Sequence, residues 1–275
     1  MKNKLGIIAG EGKFPVMIAK EARAKGVLVY VLGVKDNADM SAYESLAEKS
    51  IVLKVGQLGR AIDFMKENGV KEAVMAGRVQ HTNIFNVMPD LRAAKVLAKA
   101  KDMRAKTILS AVMEEFKKEG IEFISTVLYL QRFMPQKGVL TKRAPTKDEQ
   151  ESIELGFKIS KTLATLDVGL TSVICDRAAL AVEGMEGTDN CIKRAGEIYK
   201  TSQGANKKRA TVVVKVARPK QDDRYDLPVI GKGTIKTMIE AGAKALAIEA
   251  GKTLILDLEE VVALADKNNI TIAAQ

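Results

Sequence analysis

The 275-residue sequence predicts an α/β protein in two parts: a parallel, helix-covered sheet domain over 1–134, a linker over 135–146, and a second α/β domain over 147–275. Three observations carry it. Short apolar runs alternate with amphipathic stretches from the N-terminus onward, the pattern of βαβ units. Glycines, Gly26 and Gly69 among them, stand where the amphipathic stretches should stop. Residues 135–146, P-Q-K-G-V-L-T-K-R-A-P-T, have two prolines, a glycine and three cations without helical period, so they read as a connection between domains.

Leu5 to Ala9 is an apolar run expected to be a buried strand. It enters G-E-G-K-F-P, Gly10 to Pro15, ahead of a helix with Phe14, Met17, Ile18 and Ala22 on one face. Strand, glycine turn and helix in this order resemble a Rossmann nucleotide-binding unit, in which glycines admit a phosphate to the backbone and a helix N-terminus faces it. Pro15 replaces the third glycine of that motif, and no acidic residue closes the next strand, Val27 to Leu32. Taken alone, Gly10 and Gly12 therefore read as a tight turn rather than a dinucleotide site. The alternation continues with a helix over 38–47, a strand over 51–55, a helix over 58–68 and a strand over 73–76. Arg78 and Asn83 follow that strand's C-terminal end, the edge where open α/β sheets bind ligands. His81 lies beside them and reads as a loop residue. Asp90 and Asp102 are expected helix caps, the second ahead of an apolar face running Ala105, Ile108, Leu109, Val112, Met113, Phe116, and a strand is expected over 121–125.

The second half opens with a helix over 147–164 and two strands, 170–175 and 178–182. Glu183 to Asp189, E-G-M-E-G-T-D, then leads into a helix that Thr188 or Asp189 would cap. A strand over 211–216 ends in the stretch around which the C-terminal half is organised, Ala217 to Gly233, A-R-P-K-Q-D-D-R-Y-D-L-P-V-I-G-K-G. Gly251-Lys252-Thr253 fails as a phosphate loop, because Leu246 stands where the first glycine is needed and a strand-like run follows. Asp257 and Glu260 are expected to cap the last helix.

Composition narrows the function. A net charge of +10 favours anionic partners, yet there is no Trp and aromatics are only 4%, which counts against a single-strand binder that stacks bases. One His and two Cys, Cys175 and Cys191, exclude the common zinc sites. No apolar run approaches the roughly 18–20 residues that span a bilayer, and the N-terminus lacks a signal-peptide core, so a cytoplasmic protein is expected.

The Ala217–Gly233 stretch carries the chemistry. Pro219 and Pro228 bracket it, which excludes a helix or strand interior. Arg218, Lys220 and Arg224 interleave with Asp222, Asp223 and Asp226, a set able to hold a hard cation while the basic residues grip phosphate. A solvated turn of salt bridges is the plain alternative. The functional reading requires Glu186 and Asp189 to face the same cavity as Asp223 and Asp226.

The blocks G-I-I-A-G-E-G-K-F-P at 6–15, A-V-M-A-G at 73–77, G-V-L-T-K-R-A-P at 138–145, E-G-M-E-G-T-D at 183–189 and K-V-A-R-P-K-Q-D-D-R-Y-D-L-P-V-I-G at 215–231 span nearly the whole chain. Together they resemble the LpxI-type UDP-2,3-diacylglucosamine pyrophosphatases of lipid A precursor synthesis. The resemblance implies a two-domain enzyme and homodimer that hydrolyses a lipid-linked UDP-sugar to UMP and the diacylated sugar 1-phosphate with Mg²⁺, or another divalent ion such as Mn²⁺. It also implies peripheral contact with the inner membrane. The family's essential aspartate maps to Asp226, and Asp223, Glu186 and Asp189 fall at the other acidic positions. One departure is Leu170, where the family pattern has Gln.

On this reading Asp226, with Asp223, Asp189 or Glu186, holds the metal, while Arg224, Arg218 and Lys220 neutralise developing charge and water attacks. Gly10, Gly12, Arg78, Thr188 and Gln221 complete the expected substrate contacts. Two other readings stay open: a nucleotide-sugar binder without hydrolysis, and a basic RNA-binding or membrane-surface protein whose affinity falls steeply with salt.

Overall fold

A computed structural model describes residues 2–79, 88–102, 105–202, 210–219, 222–224 and 227–275. The chain divides into two compact units, Met1–Leu130 with Asp223–Tyr225, and Gln131–Asp222 with Asp226–Gln275.

In the first unit β1 (Lys4–Ala9), β2 (Leu28–Val34), β3 (Ala47–Leu53), β4 (Glu72–Ala76) and β5 (Glu122–Phe123) form one sheet in the order β3-β2-β1-β4-β5. Every pairing is parallel, so this is the Rossmann-like arrangement with its switch point between β1 and β4. Helix α1 (Lys13–Ala24) packs on β1 and β2 through Ile18, Ala19 and Ala22. Helices α2 (Leu58–Glu67), α3 (Leu91–Lys99) and α4 (Ala105–Lys118) share a core with Tyr30, Leu32 and Ala73 that centres on Ile62, Met65 and Phe116. Phe116 meets Phe123 edge to face at 5.2 Å. A four-residue helix, α5 (Val127–Leu130), follows β5. Gly26 and Gly69 adopt positive φ just past α1 and α2, as their positions predict. Asp90 caps α3 by accepting from Ala93 N–H at 2.8 Å.

Two local expectations fail. The helix expected over 38–47 is only a 3₁₀ turn, Met40–Tyr43, and β3 already begins at Ala47. Asp39 caps that turn, Tyr43 is buried, and pairing with β2 takes the residues that would have continued a helix. Asp257 sits in the left-handed region with no side-chain cap bond to the last helix, so the expected D-x-x-E cap does not form.

The second unit has a mixed sheet, β6-β13-β11-β9-β7-β8, made of β6 (Gly138–Val139), β7 (Thr171–Cys175), β8 (Ala178–Val182), β9 (Thr211–Lys215), β11 (Ala243–Ile248) and β13 (Thr271–Ala274). Strands β9, β11 and β13 run parallel, and β7 and β8 return antiparallel through Asp176-Arg177, both at positive φ as a tight hairpin requires. One face is covered by α7 (Thr188–Ser202), α8 (Lys232–Ala241) and α9 (Leu258–Lys267), with Ile192, Ile235, Met238 and Val261 at its centre. The other carries α6 (Lys147–Thr165), whose Ile153 and Ala164 pack on Val212, Val214 and Ala245. Within 135–146, β6 pairs with β13, and Arg143 bonds Thr271 at 2.5 Å and Glu149 at 2.6 Å. A Thr146–Glu149 capping box then starts α6. A short pair, β10 (Val229–Ile230) with β12 (Leu254–Ile255), lies near the end of the organising stretch, just past Pro228.

Candidate functional site

At the switch point of the first unit, the loops after β1 and β4 touch backbone to backbone. Gly10 N–H donates to Ala76 O at 2.8 Å, and Glu11 and Arg78 exchange main-chain bonds at 2.8 and 3.0 Å. A Cβ on Gly10 would lie 2.5 Å from Arg78 O, and one on Gly77, at φ +90, would lie 2.7 Å from Gly10 C. Gly10 is therefore required by the neighbouring loop. Gly12, at φ +104, turns the chain into α1, and the Arg78 side chain is exposed at the same edge.

Asp223 joins that carboxyl edge from far along the sequence. Ser125 Oγ, just past β5, donates to Asp223 Oδ2 at 2.6 Å, and Thr126 Oγ1 donates to Asp223 O at 2.9 Å. Arg224 follows it within the same unit.

In the second unit the carboxyl ends of the parallel strands collect a polar network. Lys215 ends β9, is only 7% exposed, and donates from Nζ to Thr188 Oγ1 at 2.6 Å. Thr188 opens α7 and donates to Glu183 Oε1 at 3.0 Å, while Glu183 Oε2 accepts from Leu170 N–H at 3.1 Å. A buried ammonium, a hydroxyl and the start of a helix in one place form an environment suited to an anion. The sequence reading missed Lys215 and Glu183. Their signal was present, since a lysine closing the run T-V-V-V-K at a strand's carboxyl end stands at the ligand edge of the sheet.

The other expected residues have partners of their own. Glu186 is ion-paired with Arg194 at 2.5 Å and accepts from Gly184 N–H at 2.9 Å. The Arg194 hydrogen bond, with those from the main chain, holds its carboxyl below the ordinary range. Asp189 accepts from Thr234 Oγ1 at 3.2 Å, and Arg218 Nε donates to Asp167 Oδ1 at 2.6 Å. Burial pushes the Cys191 thiol up to about 12, so it is not a nucleophile at neutral pH, and Cys175 is buried beside the hairpin. Lys220, Gln221, Asp226, His81 and Asn83 lie outside the described residues.

Among the described residues, no three Asp, Glu, His or Cys side chains come together as a cation site. Glu186 is committed to Arg194, and Asp223 Oδ2 to Ser125. The described acids thus do not fit a Mg²⁺ site by themselves. No helix among the described residues is long and apolar enough to cross a membrane.

Family models for the LpxI N-terminal domain and the LpxI C-terminal domain match residues 4–133 and 136–273. The chain is 31% identical to the UDP-2,3-diacylglucosamine pyrophosphatase LpxI of Caulobacter vibrioides, over 96% of this chain and 94% of that one. Similar solved structures include Pal from Bacillus thuringiensis, at 10% identity over 99% of this chain and 85% of that one, with a TM-score of 0.30. Another is the biotin carboxylase domain of a thermophilic 2-oxoglutarate carboxylase, at 12% identity over 77% and 38%, with a TM-score of 0.28. The two models between them account for nearly every residue, and the chain belongs to the LpxI family.

Proposed function

We propose that this protein hydrolyses the pyrophosphate bond of UDP-2,3-diacylglucosamine in lipid A synthesis. One water adds across the phosphoanhydride, a P–O bond breaks, and UMP and 2,3-diacylglucosamine 1-phosphate leave. The observation that carries the reading is the end-to-end match to the Caulobacter enzyme of that name. Lys215 supports it from the geometry: a buried cation at the carboxyl edge of β9, bonded to the first residue of α7, is a ready counter-charge for a diphosphate. Arg218, which is paired with Asp167, and Arg224 are the further cations that this reading assigns to the developing charge.

Incubation with UDP-2,3-diacylglucosamine and assay for UMP tests the proposal, and no release above the uncatalysed rate sinks it. The reading includes a divalent ion, Mg²⁺ or Mn²⁺, with Asp226 as the essential carboxylate. EDTA is expected to stop turnover and added Mg²⁺ to restore it. Asp226→Ala is expected to keep the circular dichroism of the parent and lose UMP release. A homodimer, a cytoplasmic location and peripheral membrane contact complete the reading. Sedimentation and co-flotation with anionic vesicles check the first and last.

A further inference from the structure

The organising loop leaves the second-unit sheet at Ala217, and the way that residue is held is unlike an ordinary strand exit. Val216 N–H is the last to pair with a neighbouring strand-side carbonyl, Leu170 O at 2.9 Å. Ala217 is 1% exposed, so its N–H and C=O need partners from within the protein. Both are supplied by one ion pair. Glu249, the residue after β11 and 9% exposed, accepts from Ala217 N–H at 3.0 Å through Oε2. Lys161, on α6, donates from Nζ to that same Oε2 at 2.5 Å and to Ala217 O at 3.2 Å. Lys252 instead donates to the opposite oxygen of Glu249, Oε1, at 2.6 Å.

A neutral amide and hydroxyl would satisfy these two main-chain groups without the desolvation that a partly buried ion pair carries. A charged clamp on both sides of Ala217 instead fixes the direction of the peptide that follows. The next side chain is Arg218, itself tied to Asp167, and then Pro219 restricts the backbone again. We propose that Glu249 and Lys161 are positioning residues for the reaction, acting through the main chain of Ala217 to aim Arg218 and the start of the 217–233 loop. The inference rests on the hydrolase reading above for its kinetic arm.

The test compares Lys161→Met, Lys161→Arg, Glu249→Gln and Lys252→Met in the full chain. Each is measured by UMP release, thermal melting and hydrogen–deuterium exchange of the Ala217 and Arg218 amides. Misdirection of a phosphate-binding side chain by about 1 Å is expected to lower kcat roughly 10- to 100-fold in Lys161→Met and Glu249→Gln. KM is expected to stay within about threefold, because substrate still binds when a transition-state contact is misaligned. Lys161→Arg keeps both donations and is expected to recover most of kcat. Lys252→Met touches the same carboxylate but not the peptide, and is expected to leave kcat within about twofold, the scale of an exposed ion pair. The proposal is overturned if Lys161→Met keeps wild-type kcat, if Lys252→Met is as damaging as Lys161→Met, or if only melting temperature moves. Should the parent protein itself release no UMP, the hydrolase reading falls by that result alone. Exchange then decides the positioning claim: faster exchange at Ala217 in Lys161→Met and Glu249→Gln upholds it, and unchanged exchange refutes it.

Discussion

Lys215 Nζ lies 2.6 Å from Thr188 Oγ1, which joins the last residue of a buried strand to the first residue of a helix 27 positions earlier. The hydroxyl in turn donates a hydrogen bond to Glu183, so ammonium, hydroxyl and carboxylate form one connected chain at the end of β9. Lys215→Met is expected to retain the fold and to lower UMP release at least about tenfold, the scale of losing one preorganised charge at a developing anion. Unaltered turnover in that variant would remove Lys215 from the site.

Asp223 is held to the first unit by the hydroxyls of Ser125 and Thr126. Ser125→Ala removes the 2.6 Å bond to the carboxylate and is expected to cost about 1 kcal/mol in a urea melt, with a larger loss if the aspartate is left without compensation. Equal midpoints for Ser125→Ala and parent would show that the bond contributes nothing net.

Gly156 on α6 faces β9 at close range. A Cβ there would stand 2.4 Å from Val214 Cγ2, and Gly156 O accepts from Ser172 Oγ at 3.2 Å. In an exposed helix, Gly→Ala gains about 1 kcal/mol from propensity. Here overpacking costs about 1–3 kcal/mol and wins, so Gly156→Ala is expected to lower the melting temperature. An increase would mean that α6 can lift from the sheet without penalty.

Glu119 gives the first unit an acid-sensitive contact. Hydrogen bonds from Arg92, and then from Lys66 at 2.5 Å, lower its pKa from 4.5 to about 2. A depressed folded-state value means that its stabilisation is complete above pH 4.5 and is lost as pH falls toward 2. Glu119→Gln is expected to melt below the parent at pH 7, and the gap is expected to close across that acid window. A gap that stays constant with pH would contradict the pairing.

Much of the fold was legible because its causes are local. The β1 to β4 alternation follows from apolar runs of strand length and from glycines free to take positive φ at helix ends. The 38–47 segment was misread because its partner is distant: pairing with β2 decides its conformation, and nothing within ten residues signals that. The same holds at the site. Acidic and basic types in 183–189 and 217–233 announced phosphate chemistry, yet Glu186 turns to Arg194 eight residues on and Asp223 to Ser125 nearly a hundred residues back. Lys215 and Glu249 look like ordinary charged ends of apolar runs. Only the packed sheet gives each its partner, Thr188 on α7 for Lys215 and Lys161 on α6 for Glu249.

The assignment of Asp223–Tyr225 to the first unit also bears on how the gene can be cut. A fragment stopped at Leu130 would contain the whole parallel sheet yet lack the segment that occupies Ser125 and Thr126. A chimera that exchanges residues 1–130 between homologues would inherit those hydroxyls from one parent and their aspartate from the other. Compatible exchanges must therefore transplant two stretches of coding sequence together, and a library built on a single crossover should be depleted of active clones wherever the two parents differ at these three positions.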